Sequence, residues 1–72
     1  MPLSYLANGE TGVIRKIGGS AQVKSRLAEL GFVADAPVSV ISAQGGNLIV
    51  NIKDSRLALT KEMASKVMVC EI

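Results

Sequence analysis

Apolar residues alternate with polar ones through most of this chain, but one short run switches to helical spacing, and that contrast predicts the elements. The run is Ser20 to Leu30, closed by Gly31-Phe32. With Val23 set at zero on a helical wheel, Leu27 falls near about 40° and Leu30 near about −20°, a narrow apolar stripe. Ser20 is a competent N-cap, and Gly31 supplies the left-handed residue that ends such helices.

The remaining pattern predicts strands. Asn8-Gly9 marks a turn, followed by a strand from Glu10 to Ile17 with Val13, Ile14 and Ile17 as its apolar members. Gly12 inside it predicts a bulge or tight bend. Gly18-Gly19 ends that strand, and Pro37 sits where the next can begin. Val38 to Ala43 and Leu48 to Lys53 are β-rich runs separated by Gln44-Gly45-Gly46-Asn47, which reads as a hairpin with a four-residue loop. Leu48, Val50 and Ile52 form one face of the second run. Asp54-Ser55 turns the chain into Arg56 to Leu59, with Leu57 and Leu59 facing inward. Thr60 caps a single helical turn, Lys61 to Lys66, with Ala64 inward, and Val67 to Ile72 is the last strand. The fold class is therefore mainly β with a short helix. About five short strands with Gly-rich turns suit a small barrel, because closure removes exposed edges.

Seventy-two residues predict a single domain spanning 1–72, burying about 60 % of its unfolded surface. Half the chain is apolar (49 %), yet there is one Phe, one Tyr and no Trp. The core must come from Val, Ile, Leu and Ala, which suits packed strands. Phe32 is the natural plug beside the helix end.

Composition also narrows the chemistry. Histidine is absent, and the six carboxylates, Glu10, Glu29, Asp35, Asp54, Glu62 and Glu71, fall in turn or surface settings. General acid–base catalysis and serine activation therefore lack their usual partners, and the expectation is a protein that is not an enzyme. Ferrous sites favour imidazole with carboxylate, or clustered thiolates. With no imidazole and one thiol, no metal site and no cofactor are expected. Cys70 cannot form an intramolecular disulfide and reads as a buried or half-buried small hydrophobe. Gly18-Gly19-Ser20 could cradle an anion, but neither the lysine nor the spacing of a P-loop follows; a capped strand-to-helix turn accounts for it. The net charge of +2 is spread along the chain. No secretory signal and no run of 18 apolar residues is visible, so a cytoplasmic protein without membrane insertion is expected.

Several of these pieces together resemble the FeoA family, small cytoplasmic proteins of bacterial ferrous iron uptake. Arg26-Leu27-Ala28-Glu29-Leu30-Gly31-Phe32 is similar to the family's helix-ending motif, and Gly9-Glu10-Thr11-Gly12-Val13-Ile14 to its opening strand. Val38, Val40, the hairpin, Leu57-Ala58-Leu59, Ala64, Val67 and Val69 follow in the family's order. The likeness runs from about Leu3 to Val69. It departs after the helix, where members often carry Pro-Gly and this chain has Ala34-Asp35; Asp tolerates the left-handed conformation, so the turn can survive. The resemblance implies an SH3-like barrel acting as an accessory or regulator of FeoB, the membrane permease with a cytoplasmic GTP-binding domain. Iron-dependent repressors use the same fold type as a C-terminal domain, so fold does not settle function. No helix-turn-helix precedes the barrel here, which weighs against that alternative.

A small RNA-binding barrel is the other alternative. Arg15-Lys16, Lys24 with Arg26, and Lys53 with Arg56 could contact phosphates, but only Tyr5 and Phe32 could stack on bases. Two surfaces are candidates for protein contact. Opposite the helix's core stripe lie Ala21, Ser25 and Ala28, near about 160°, 200° and 140° on the wheel, flanked by Lys24 and Glu29. This low face reads either as a solvated helix back or as a place where another protein approaches closely, its charges setting orientation. On the last strand Met68, Cys70 and Ile72 alternate with Val67 and Val69. They form either an exposed patch suited to docking or weak self-association, or a second inner layer. The Gln44 to Asn47 tip reads as a plain hairpin end that can also touch a partner.

Overall fold

A computed structural model describes residues 1–71. Five strands, β1 (Thr11–Ile17), β2 (Pro37–Gln44), β3 (Asn47–Ile52), β4 (Ser55–Thr60) and β5 (Val67–Glu71), form one antiparallel sheet in the order β4-β3-β2-β1-β5. Helix α1 (Ala21–Glu29) joins β1 to β2, and the single turn α2 (Lys61–Ala64) joins β4 to β5. The sheet curls as a barrel without closing fully: β4 and β5 are its two ends.

The core is aliphatic, as the composition requires. Ile14, Leu27, Val38, Val40, Val50, Ile52, Val67 and Val69 are essentially inaccessible, with Phe32 as the one aromatic among them. Leu48 and Leu59 are buried opposite each other across β3 and β4, while Leu57 is only half-buried. Two further core residues come from a segment whose role the sequence reading missed. Leu3 and Leu6 are buried at either end of a 3-10 turn, Leu3–Tyr5, that packs against β5 and α2. Residues three apart eclipse in a 3-10 turn, so the Leu3/Leu6 spacing was the available signal.

Several details differ from expectation. The first hairpin loop is two residues, not four. Gln44 pairs with Asn47, and Gly45 (φ 54°) and Gly46 (φ 84°) make a turn with both central residues left-handed, the type whose twist suits paired strands. The next hairpin repeats the device with Lys53 (φ 48°) and Asp54 (φ 64°). The sheet's irregularities lie at Arg15 in β1 and Ile41 in β2, where the register slips, not at Gly12. Gly12 serves close approach instead: a Cβ there would lie 3.1 Å from the Cys70 carbonyl oxygen and 3.2 Å from Val69 Cβ. The β1 strand opens at Thr11, one residue late, although the Glu10 carbonyl still accepts from the Val40 N–H at 3.0 Å. The second helical turn ends at Ala64, short of Lys66, with Ala64 buried as expected.

Candidate protein-contact surfaces

Helix α1 is fixed at both ends by the residues that announce it. The Ser20 hydroxyl accepts from the Val23 N–H at 3.3 Å, satisfying one of the unpaired amides at the start. At the other end Gly31 (φ 104°) turns the chain so that its N–H reaches the Ala28 carbonyl at 3.0 Å and the Phe32 N–H reaches the Leu27 carbonyl at 2.9 Å. These two bonds define a Schellman ending, normally accompanied by an apolar contact between the same outer residues. Leu27 and Phe32 are both buried in the core cluster. This geometry corrects the predicted stripe. Only Leu27 is fully buried; Val23 is half-buried, and Leu30, in the last position before the turn, is 40 % exposed because Phe32 takes the core position.

The opposite face of α1 is open. Ala21, Lys24, Ser25, Ala28 and Glu29 are all exposed on that one helix. The Lys53 side chain lies over Gly31, its Cδ 3.4 Å from where a Cβ would stand. Its stem covers the helix end, as long cationic side chains commonly do.

The second candidate surface is on another element. Met68 is 38 % exposed and Cys70 is exposed, so Cys70 is not the buried hydrophobe that its apolar setting suggested. The cause is strand alternation: Val67 and Val69 take the inner face, leaving Met68 and Cys70 on the outer one. Cys70 pairs across the sheet with Val13, and Met68 with Lys16; Pro2 forms a bridge to Met68 on the free side. Ile72 lies outside the described residues. Arg15, at the register slip, stands beside Cys70 and reaches Asp35 at 3.6 Å. Cys70 first, and Asp35 after it, hold the Arg15 guanidinium above its ordinary value. Both members of the Arg15–Asp35 pair are largely exposed, so it contributes little to stability.

The structure thus gathers five of the sequence-predicted residues on α1 and two on β5. Asp35 adopts φ 70°, so the turn after α1 keeps a left-handed residue, as its tolerance of that conformation allows. Among the described residues no three His, Cys, Asp or Glu side chains converge on a point. No helix among them is long and apolar enough to cross a membrane.

Comparison with known proteins bears on this architecture directly. The family model for the FeoA domain matches residues 1–70. A Methanocaldococcus jannaschii protein provisionally named Fe(2+) transport protein A is 31 % identical over 68 residues, 94 % of this chain and 83 % of its own. The crystal structure of an iron uptake regulatory protein, FeoA, superposes with a TM-score of 0.92 at 28 % identity, covering all of this chain and 96 % of that one. FeoA from Stenotrophomonas maltophilia, described as an SH3 domain protein and crystallised with zinc, gives a TM-score of 0.86 at 29 % identity over 97 % of this chain and 89 % of its own. A manganese-dependent transcriptional repressor shares the fold (TM-score 0.91) at 21 % identity, with this chain matching 41 % of it. The sheet order, the capped helix and these matches along nearly the whole length agree: the chain belongs to the FeoA family and carries its SH3-like fold.

Proposed function

We propose that this protein is a cytoplasmic accessory of ferrous iron uptake that works by contact with a FeoB-like permease, at that permease's GTP-binding domain, and not by catalysis. Membership of the FeoA family supports the transport setting. The observation that carries the contact reading is the outward face of α1. Ala21, Ser25 and Ala28 are short and exposed, Lys24 and Glu29 flank them, and caps at both ends hold the helix in one pose. Short side chains let a partner's surface approach closely, and a rigid helix loses little freedom on binding. The flanking opposite charges set orientation more than affinity. Met68 and Cys70 offer a second contact area.

The test is direct binding of the purified chain to the cytoplasmic GTP-binding part of the permease from the same organism, by calorimetry. Lys24→Glu and Ala28→Trp are each expected to weaken binding about tenfold or more, with melting temperature unchanged because both positions are exposed. No binding by the unaltered chain overturns the permease reading. Unaltered affinity in both variants moves the contact off α1.

A further inference from the structure

The two ends of the sheet are treated differently. The β5 edge is shielded by the first residues: the Val69 N–H donates to the Met1 carbonyl at 2.7 Å, the Met1 amine donates to the Val69 carbonyl at 2.8 Å, and Pro2 bridges Met68. The β4 edge has no such cover among the described residues. The register shows which of its groups are free. The loop of Lys53 and Asp54 is closed by the pair Ile52–Ser55, and in a two-residue hairpin the closing pair is the hydrogen-bonded one. Alternation then turns the backbone of Ser55, Leu57 and Leu59 toward β3, which agrees with the Lys61 N–H donating to the Gly46 carbonyl at 3.1 Å as the ladder's next step. Arg56, Ala58 and Thr60 direct theirs away from the sheet.

We infer that this edge pairs with the β4 edge of a second copy, antiparallel about a two-fold axis at Ala58. The sequence of β4 is complementary to itself in that register. Ala58 meets the partner's Ala58, so their N–H and C=O groups exchange two bonds, and the Thr60 N–H reaches the carbonyl of the partner's Arg56. On the inner side, half-buried Leu57 meets the partner's Leu59, which continues the aliphatic layer across the join. On the outer side Arg56 meets the partner's Thr60, so no like charges stand opposite each other. Nothing in β4 blunts the edge: it holds no proline and no bulge, and its one charge is Arg56. Natural edges left in that state are templates for strand addition. The contact is a narrow strip, well below the roughly 1,200 Å² of a standard interface, so the dimer is weak, with a dissociation constant of roughly 0.1–1 mM.

Sedimentation velocity on the full chain, from about 10 μM to about 2 mM to bracket that range, tests this, together with amide exchange read at both ends of the series. The expected result is a concentration-dependent dimer in which the amides of Ala58 and Thr60 gain protection. Ala58→Pro removes an outward N–H without breaking a β3 bond, and Ala58→Lys sets two ammonium groups face to face. Each is expected to weaken association about tenfold or more. If the proline variant fails to fold, the lysine variant and the exchange data carry the test alone. A monomer at every concentration, a dimer with unaltered Ala58 and Thr60 exchange, or undiminished association of the folded variants overturns the inference. This surface is separate from α1, so loss of the permease contact leaves it standing.

Discussion

Replacing Gly31 by alanine isolates the cost of ending α1 correctly. Gly31 sits at φ 104°, a conformation L-residues rarely adopt. An added Cβ would meet the flexible Lys53 stem, 3.4 Å away at Cδ, and Ile52 Cγ1 at 4.0 Å, both ordinary contacts. Steric overlap therefore contributes almost nothing, and the penalty is the backbone conformation itself, about 1–2 kcal/mol. Relaxing toward ordinary helix angles would break the Gly31–Ala28 and Phe32–Leu27 bonds and pull Phe32 from the core, so that escape costs more than the strain. For a chain of this length total stability is about 4–11 kcal/mol, and the loss corresponds to a melting point lower by roughly 5–15 °C. Urea denaturation followed by far-UV circular dichroism measures it, with Gly31→Asn as control because Asn tolerates positive φ better. The expected order of stability is Gly, then Asn, then Ala. An alanine variant within about 0.3 kcal/mol of the parent, or no better an Asn variant, refutes the argument.

Gly12→Ala is expected to cost about 1 kcal/mol for the opposite reason. Its φ is ordinary, but the new methyl would lie 3.1–3.2 Å from the Cys70 carbonyl and Val69 side chain; an unchanged urea midpoint would mean that β5 shifts freely. Asp35→Gly is expected to be neutral or stabilising by up to about 0.5 kcal/mol, since relief of φ 70° outweighs an exposed ion pair with Arg15. Asp35→Ala should lose about 1 kcal/mol, and thermal melts in which alanine matches glycine at this position would refute the strain account.

Sequence pattern was informative wherever one residue type has one physical use. Ser20 and Thr60 as caps, Gly31 as the helix terminator, Pro37 opening a strand and Leu48/Val50/Ile52 facing inward all follow from local rules, and the structure places them so. It was silent where the outcome depends on a distant partner. The bulges at Arg15 and Ile41 arise from matching β1 to β5 and β2 to β3, which no local signal encodes. Gly12 was read as conformational, yet the close approach of its sheet neighbour β5 explains it. Leu30 continued the wheel's apolar stripe, but the wheel stops one residue before Gly31 redirects the chain and hands the core position to Phe32. The α1 face was visible as small residues at helical spacing, and its exposure follows from Leu27 and half-buried Val23 anchoring the helix from the opposite side.

This one-sided anchoring links stability to the proposed contact. A helix of nine residues is too short to persist in water by its own propensity, so α1 exists because Leu27 and Phe32 are buried together and both its ends are capped. Everything that fixes it acts from one side or from the termini, which leaves the other side free of structural duty. A change at Ala21, Ser25 or Ala28 then alters what meets the helix without altering whether it forms. A change at Gly31 or Leu27 does the reverse and weakens any contact only in proportion to the folded fraction. Binding and stability should therefore separate cleanly along the two faces of α1, and a substitution on the outward face that lowered both together would show that the surface is part of the fold's support.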